Sequence, residues 1–266
     1  MRQINITKSE YYTILEKNIA RGTEGAVSFY NGDLVKLFFK EGDPNTFEYF
    51  MFKEKLKSKL EKLKLLSSVS DFKNNLYPTG IINCNDDFCG YVLSCYIGSS
   101  LYEMDKSCLD NFTKIDILKR AKQILDYFHS IGIVYGDVKA ANLLLSEDYS
   151  SIAFCDLDNI KFGGFPMDNL PVNVMDFCDK YYGFTYSGFM DSKIDSYMFN
   201  LLTIELFMGE SSDNYKGVFD YLNASFDSSN AFDFVKPESR AKVKSIYDEL
   251  RCIDSSYSGK YIIDCL

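Results

Sequence analysis

At 266 residues, with 46% hydrophobic and 25% charged side chains, the chain is long enough to bury a sizeable core as one large domain or two lobes. A net charge of −9 argues against nucleic acid or an anionic membrane surface as the main partner, because both demand a positive face. The eight cysteines lack C-x-x-C spacing and the single histidine is His129, which argues against a Cys/His zinc site and for reduced thiols in a cytoplasmic protein. Met1 to Lys8 lack the apolar stretch of a secretion signal, and no apolar run reaches the roughly 18 residues of a membrane span.

Taken in order, Ile4 to Asp43 has a β-rich pattern. Gly22 and Gly25 stand three apart between strand-like segments, and Asn31-Gly32 signals a tight hairpin turn. Leu34 to Phe39 is an apolar strand interrupted by Lys36; alone, this is a plain hairpin with a lysine reaching for solvent. Asp43-Pro44 offers an N-cap followed by proline at the first helical position. From there to about residue 66 no Gly or Pro occurs, and Tyr49, Phe52, Leu56, Leu60 and Leu63 share one helical stripe. After a polar loop, Gly80–Cys84 and Gly90–Tyr96 flank Asn85-Asp86-Asp87 as strand, turn and strand, and Ile97 to Leu101 is a small-residue break. Asp110-Asn111 opens a second helix, with Ile117, Leu118, Ala121, Ile124, Leu125 and Phe128 as its apolar face and Gly132 at its end. His129, in the last turn, is expected to be structural, capping carbonyls or packing under the segment that follows.

That segment, Tyr135-Gly136-Asp137-Val138-Lys139-Ala140-Ala141-Asn142, carries the chemistry. Asp137 can orient or deprotonate a substrate hydroxyl, Lys139 can neutralise a phosphoryl group in transit, and Asn142 offers an amide oxygen to a hard cation. Fourteen residues past Asn142, Asp156 ends the apolar run Ile152 to Cys155, where a carboxylate is costly unless a metal or hydrogen bonds receive it. Residues 159 to 190 have an irregular pattern, Asp195 opens an apolar helix to Phe207, and a last helix is expected from Pro237 to Ile253.

The order and spacing of these groups resemble the catalytic loop and metal-binding Asp of the eukaryotic-type protein kinases, over roughly Ile19 to Gly209. The resemblance implies an α+β, bilobal protein kinase-like fold: a small β-rich N-lobe (1–96) and a reduced, mostly helical C-lobe (97–266), with ATP and Mg²⁺, or Mn²⁺, held between them. It casts Gly22, Gly25 and Val27 as the latter part of a phosphate loop and Lys36 as the phosphate-binding lysine. A helix Glu would hold Lys36: Glu48, which borders the apolar stripe, is preferred, with Glu54 and Glu61 as alternatives. Backbone groups of Cys95 and Ile97 would bond the adenine, with Ser94 at the gate of the back pocket. Asn142 and Asp156 would hold metal, Asp137 and Lys139 would be catalytic, and Asp195 would accept backbone N–H bonds from the catalytic loop.

The chain departs from the family at several places, among them Leu34, where the family has a small residue against the adenine, and Tyr135, in place of the usual His. Ala20 replaces the first loop glycine, Gly136 replaces the Arg that binds a phosphorylated activation loop, Asp158 replaces the Gly of Asp-Phe-Gly, and Ala-Pro-Glu is not recognisable, although Tyr181 to Gly188 stands in its place. Gly136 implies activity without that phosphorylation switch, and Lys139 favours a protein substrate. The function expected is therefore that of a protein Ser/Thr kinase. The alternatives are a small-molecule kinase of the same fold in which Asp158 reaches a second metal, a pseudokinase scaffold, or a Mg²⁺ protein unrelated to kinases.

Overall fold

The computed structural model describes residues 1–39, 46–69, 72–74, 76–94, 98–167, 175, 177–178, 181, 190–208, 235–252, 254 and 256–266. The chain is α+β and divides into two units, Met1–Ile97 and Gly98–Leu266.

The first unit is built on a six-stranded sheet, with strands β1 (Arg2–Ile6), β2 (Ala20–Arg21), β3 (Gly25–Tyr30), β4 (Asp33–Phe38), β5 (Pro78–Cys84) and β6 (Asp87–Leu93) in the order β1-β5-β6-β4-β3-β2. Only β1 runs parallel to its neighbour, β5. Two tight turns set the register: Asn31-Gly32 closes β3 on β4 and Asn85-Asp86 closes β5 on β6, all four residues at positive φ. Helix α1 (Lys8–Glu16) was not foreseen in a stretch of β-like pattern. Thr7 and Glu10 form a reciprocal capping box at its start, a signal present in the sequence. The helix is tied to the sheet by buried bonds from the Tyr11 hydroxyl to the Phe38 carbonyl (2.5 Å) and from the Ser28 hydroxyl to the Ile14 carbonyl (2.8 Å). Its core joins Tyr11 and Ile14 to Val35, Leu37, Ile82 and Val92.

Helix α2 (Phe47–Ser67) packs on β5 and β6 and starts at an N-cap Thr46, whose side chain accepts from the Tyr49 amide. The start expected at Asp43-Pro44 lies outside the described residues. The buried positions of α2 are Leu56, Lys59, Lys62, Leu63 and Leu66, so two lysines lie among its core-facing residues.

In the second unit, β7 (Ser99–Ser100), β8 (Leu143–Leu145) and β9 (Ile152–Phe154) form a small antiparallel sheet. Helix α3 (Asn111–Ser130) starts at Asp110, which caps the Thr113 amide, and stops before Gly132, at φ +81°. Helices α4 (Lys193–Met208) and α5 (Pro237–Arg251) complete the described unit. Asn200 of α4 binds the chain end, giving to the Lys260 carbonyl and accepting from the Ile262 amide, each at 2.8 Å. Among the described residues no disulfide forms, and no helix is long and apolar enough to cross a membrane.

Candidate active site

The loop 133–142 leaves α3 and is gripped from beneath. The Asp195 carboxylate, fully buried on α4, accepts the Tyr135 amide (2.8 Å), the Gly136 amide (2.5 Å) and the His129 Nε2 contact (2.8 Å). Asp195 is therefore the loop's internal clamp rather than a helix cap, since α4 begins two residues earlier, at Lys193. His129 serves that clamp: expected to cap carbonyls or pack under the loop, it meets a buried carboxylate instead. The Tyr135 ring packs 4.8 Å from Phe154 and 6.2 Å from Phe128, and its hydroxyl donates to the Cys155 carbonyl at 2.6 Å. One side chain thus fixes the peptide immediately before Asp156.

Above this base the polar side chains meet. One oxygen of Asp137, Oδ2, accepts from Lys139 Nζ (2.9 Å) and from Asn142 Nδ2 (2.7 Å), and the same amide nitrogen reaches the Asp137 carbonyl at 3.0 Å. The other oxygen, Oδ1, is buried with no hydrogen-bond partner. An unsatisfied buried acceptor costs on the order of 1–3 kcal/mol, and such atoms concentrate where a ligand completes the bonding. Burial, chiefly, raises the Asp137 pKa; Lys139 counters it and the nearby Asp156 charge adds to it. Asn142, by spending its donors on Asp137, turns its own oxygen toward the Cys155 thiol (3.8 Å), and its carbonyl accepts the Cys155 amide at 3.0 Å.

Asp156 itself sits at φ 62°, ψ 38°, a left-handed conformation that costs a non-glycine residue about 1–2 kcal/mol. Backbone strain at a carboxylate beside an orphaned buried acceptor is the pattern of a functional site. Asn142 Oδ1 and the Asp156 carboxylate are hard oxygen donors of the kind Mg²⁺ takes when phosphates fill its remaining positions, so the donor set fits that ion. No cluster of three or more His, Cys, Asp or Glu able to hold a metal unaided occurs among the described residues. Asp158, a candidate second ligand, is fully buried in the short turn 157–159.

In the first unit the expected groups have a different character. Val27 and Lys36 are directly opposite across β3 and β4, so they share a sheet face, with Lys36 Nζ 5.7 Å from the centre of the Phe38 ring. Gly22 donates its amide to the Gly25 carbonyl at 2.9 Å, closing the β2–β3 turn on itself. A Cβ on Gly25 would lie 2.3 Å from the Leu37 carbonyl, so sheet pairing alone demands glycine there; at Gly22 the space is open.

Glu48 lies exposed in the first turn of α2 and makes no ion pair with a described residue. Glu54 and Glu61 are exposed as well, each paired three residues on, with Lys57 and Lys64. Acids from outside the helix meet α2: Glu24 of the β2–β3 turn pairs with Lys55 and with Lys59, the latter at 3.1 Å, and Asp87 pairs with Lys53 at 2.6 Å. Lys59 Nζ lies 5.4 Å from the Phe38 ring centre. Sequence reasoning missed this pair because a helix lysine is ordinarily assigned to solvent. Cys95 and Ile97, and 182–188 of the stretch expected in place of Ala-Pro-Glu, lie outside the described residues. Ser94 uses its hydroxyl to accept the Tyr77 amide at 2.8 Å.

No protein-family model matches the chain. Among curated proteins, a non-specific serine/threonine protein kinase from Candida glabrata is 28% identical over 145 residues, which is 52% of this chain and 9% of that protein. The chain thus spans a small fraction of this relative's length. The similarity supports a kinase-like relationship.

Proposed function

We propose that the chain is an ATP- and Mg²⁺-dependent phosphotransferase of protein kinase-like bilobal fold that acts on a hydroxyl acceptor, most simply a Ser or Thr of a protein. The observation that carries this reading is the unpartnered, buried Oδ1 of Asp137, placed beside a restrained Asn142 and a strained Asp156. In this reading Oδ1 takes the hydroxyl of the acceptor, whose proton it orients or accepts, and the raised pKa makes it a better base. Lys139, held on Oδ2, stands over the same carboxylate and steadies the phosphoryl oxygens. Asn142 and Asp156 would hold Mg²⁺, which supplies charge neutralisation on the phosphates. Lys36 would bind the nucleotide phosphates, with Val27 on the same face against the base. Catalysis then rests on positioning and electrostatics, with no covalent intermediate on the protein.

The self-closed turn at Gly22 and Gly25 favours a second reading, a kinase-like binding module that takes up no nucleotide. Labelled ATP separates the readings when offered to the protein alone, with a Ser/Thr/Tyr peptide mixture, and with lysate metabolites. Label on peptides or on the protein itself supports protein kinase activity, and label on metabolites supports a small-molecule kinase. No transfer under any divalent metal, together with no rise in melting temperature on adding ATP and Mg²⁺, leaves the binding module.

A further inference from the structure

We propose that Met167 is a positioning residue: its thioether latches the catalytic loop by filling the space against Gly136, so that Asp137 is held in place by apolar packing. This rests on the reading of Asp137 given above. Gly136, immediately before Asp137, is held at φ +70°. A Cβ on Gly136 would lie 2.2 Å from Met167 Sδ, 2.3 Å from its Cε, and 3.7 Å from Met190 Cε. The methionine therefore occupies the volume a side chain at 136 would need. A glycine can leave the left-handed region at little steric cost, so something outside it must keep it there.

Two devices meet at this residue. Asp195 holds the amides of Tyr135 and Gly136, and Met167 covers the α-carbon. Met167 is 3% exposed and is delivered by a short, well-bonded segment. Val134 and Lys161 exchange both backbone hydrogen bonds (3.1 and 2.9 Å), and so do Phe162 and Phe165 (3.1 and 2.9 Å), with Gly163 and Gly164 at positive φ in the turn between them. The neighbouring Met190 is fixed from two sides, its carbonyl accepting Lys161 Nζ at 2.6 Å and its sulfur 3.4 Å from Cys178 Sγ. The atoms nearest a Cβ on Gly136 are the thioether of Met167 and the methyl of Met190. A flexible, polarizable thioether suits a cavity whose far wall is bare backbone. An ionic latch would be set by modification of a neighbouring segment, whereas this one works through packing against Gly136.

The test pairs amide hydrogen exchange at Tyr135 and Gly136 with steady-state kinetics on the full chain. Met167→Ala is expected to raise exchange at these two amides by about ten-fold or more. It should lower kcat by about ten- to a hundred-fold with KM for ATP within about two-fold of wild type, as loss of alignment does. Met167→Leu, of similar volume, should restore most of both. Gly136→Ala should disturb the same amides, and Gly136→Ala with Met167→Ala should recover part of the protection. If Met167→Ala does not fold, Met167→Val gives the same measurement with a smaller opening. Unchanged exchange at 135 and 136 in the truncated variants, or a rise in KM for ATP with kcat unchanged, overturns the latch. Wild type without phosphotransfer overturns the catalytic reading instead, while the exchange measurement still decides whether the latch exists.

Discussion

The turn 22–25 in the first unit and the loop 135–142 in the second were both marked by glycines and charged residues, yet their bonding is opposite. In the turn the polar groups are answered by the protein itself: the Gly22 amide by the Gly25 carbonyl, the Glu24 carboxylate by Lys55 and Lys59, and the Glu24 carbonyl by the Phe39 amide at 2.9 Å. The loop 135–142 is satisfied below, by Asp195, and left with an open acceptor above, at Asp137 Oδ1. One region spends its polar groups on architecture; the other withholds one at a cost in stability. Readiness for a ligand shows in unfulfilled bonding capacity more than in residue type.

The largest expected effects fall on the loop. Asp137→Asn should lower phosphotransfer by roughly 10²–10⁴-fold, in line with the loss of a positioned general base, when label transfer is compared with wild type. The same variant should melt no lower than wild type at neutral pH, because it removes a charge that burial disfavours. A loss of stability with activity intact would make Asp137 structural. Asp195→Ala should differ in lowering stability as well. It strands the buried Tyr135 and Gly136 amides, which at about 1–3 kcal/mol each should cost roughly 2–6 kcal/mol in denaturant unfolding.

The turn responds more weakly, and with a pH signature. Burial alone would raise the Glu24 pKa, but the Lys59 charge and the Lys55 hydrogen bond outweigh it and leave it lowered. A carboxylate lowered in the folded state stabilises above its ordinary value and loses that contribution as pH falls through the lowered one. Glu24→Gln should therefore cost about 1.5–3 kcal/mol at neutral pH, the range of hydrogen bonds to charged groups, and approach wild type in acid. A difference independent of pH would mean that the pair to α2 contributes nothing as an ion pair.

How much of this was legible follows from where each partner lies in the chain. Asp137, Lys139 and Asn142 fall within six residues, so local spacing brought them together before any tertiary contact was known. Asp195, 58 residues past Asp137, was legible only through the family resemblance, because nothing local distinguishes a clamp from a cap. Glu24 and Lys59 lie 35 residues apart, and their meeting depends on which way α2 is rotated. The apolar stripe served for Leu56 and Leu63, which are buried, but the apolar Phe47, Phe50 and Met51 near Glu48 are exposed at 72%, 57% and 51%. Proximity to them therefore gave Glu48 no inward direction. The helix Lys8–Glu16 could have been found from Thr7-Lys8-Ser9-Glu10, whose capping signal outweighs the β-like character of the residues around it.

The two glycines of the turn give the smallest and sharpest contrast. Gly25→Ala drives a methyl group to 2.3 Å from the Leu37 carbonyl, and because that obstacle is backbone in a paired strand it cannot swing aside. A loss of about 1–3 kcal/mol is expected, as for an overpacked core site, read in the melting curve with or without nucleotide. Gly22→Ala meets only the Gly25 carbonyl at 3.9 Å and should stay within about 0.5 kcal/mol of wild type. That near-silence makes it the better probe of function, since any loss of the ATP-dependent rise in melting temperature cannot be charged to folding. If Gly22→Ala weakens that rise while leaving the unliganded protein unchanged, the turn opens its amide to phosphate despite the bond to Gly25. If both variants bind ATP alike once folded, the turn is architecture, and nucleotide recognition in the first unit falls to the face that carries Lys36 and Val27.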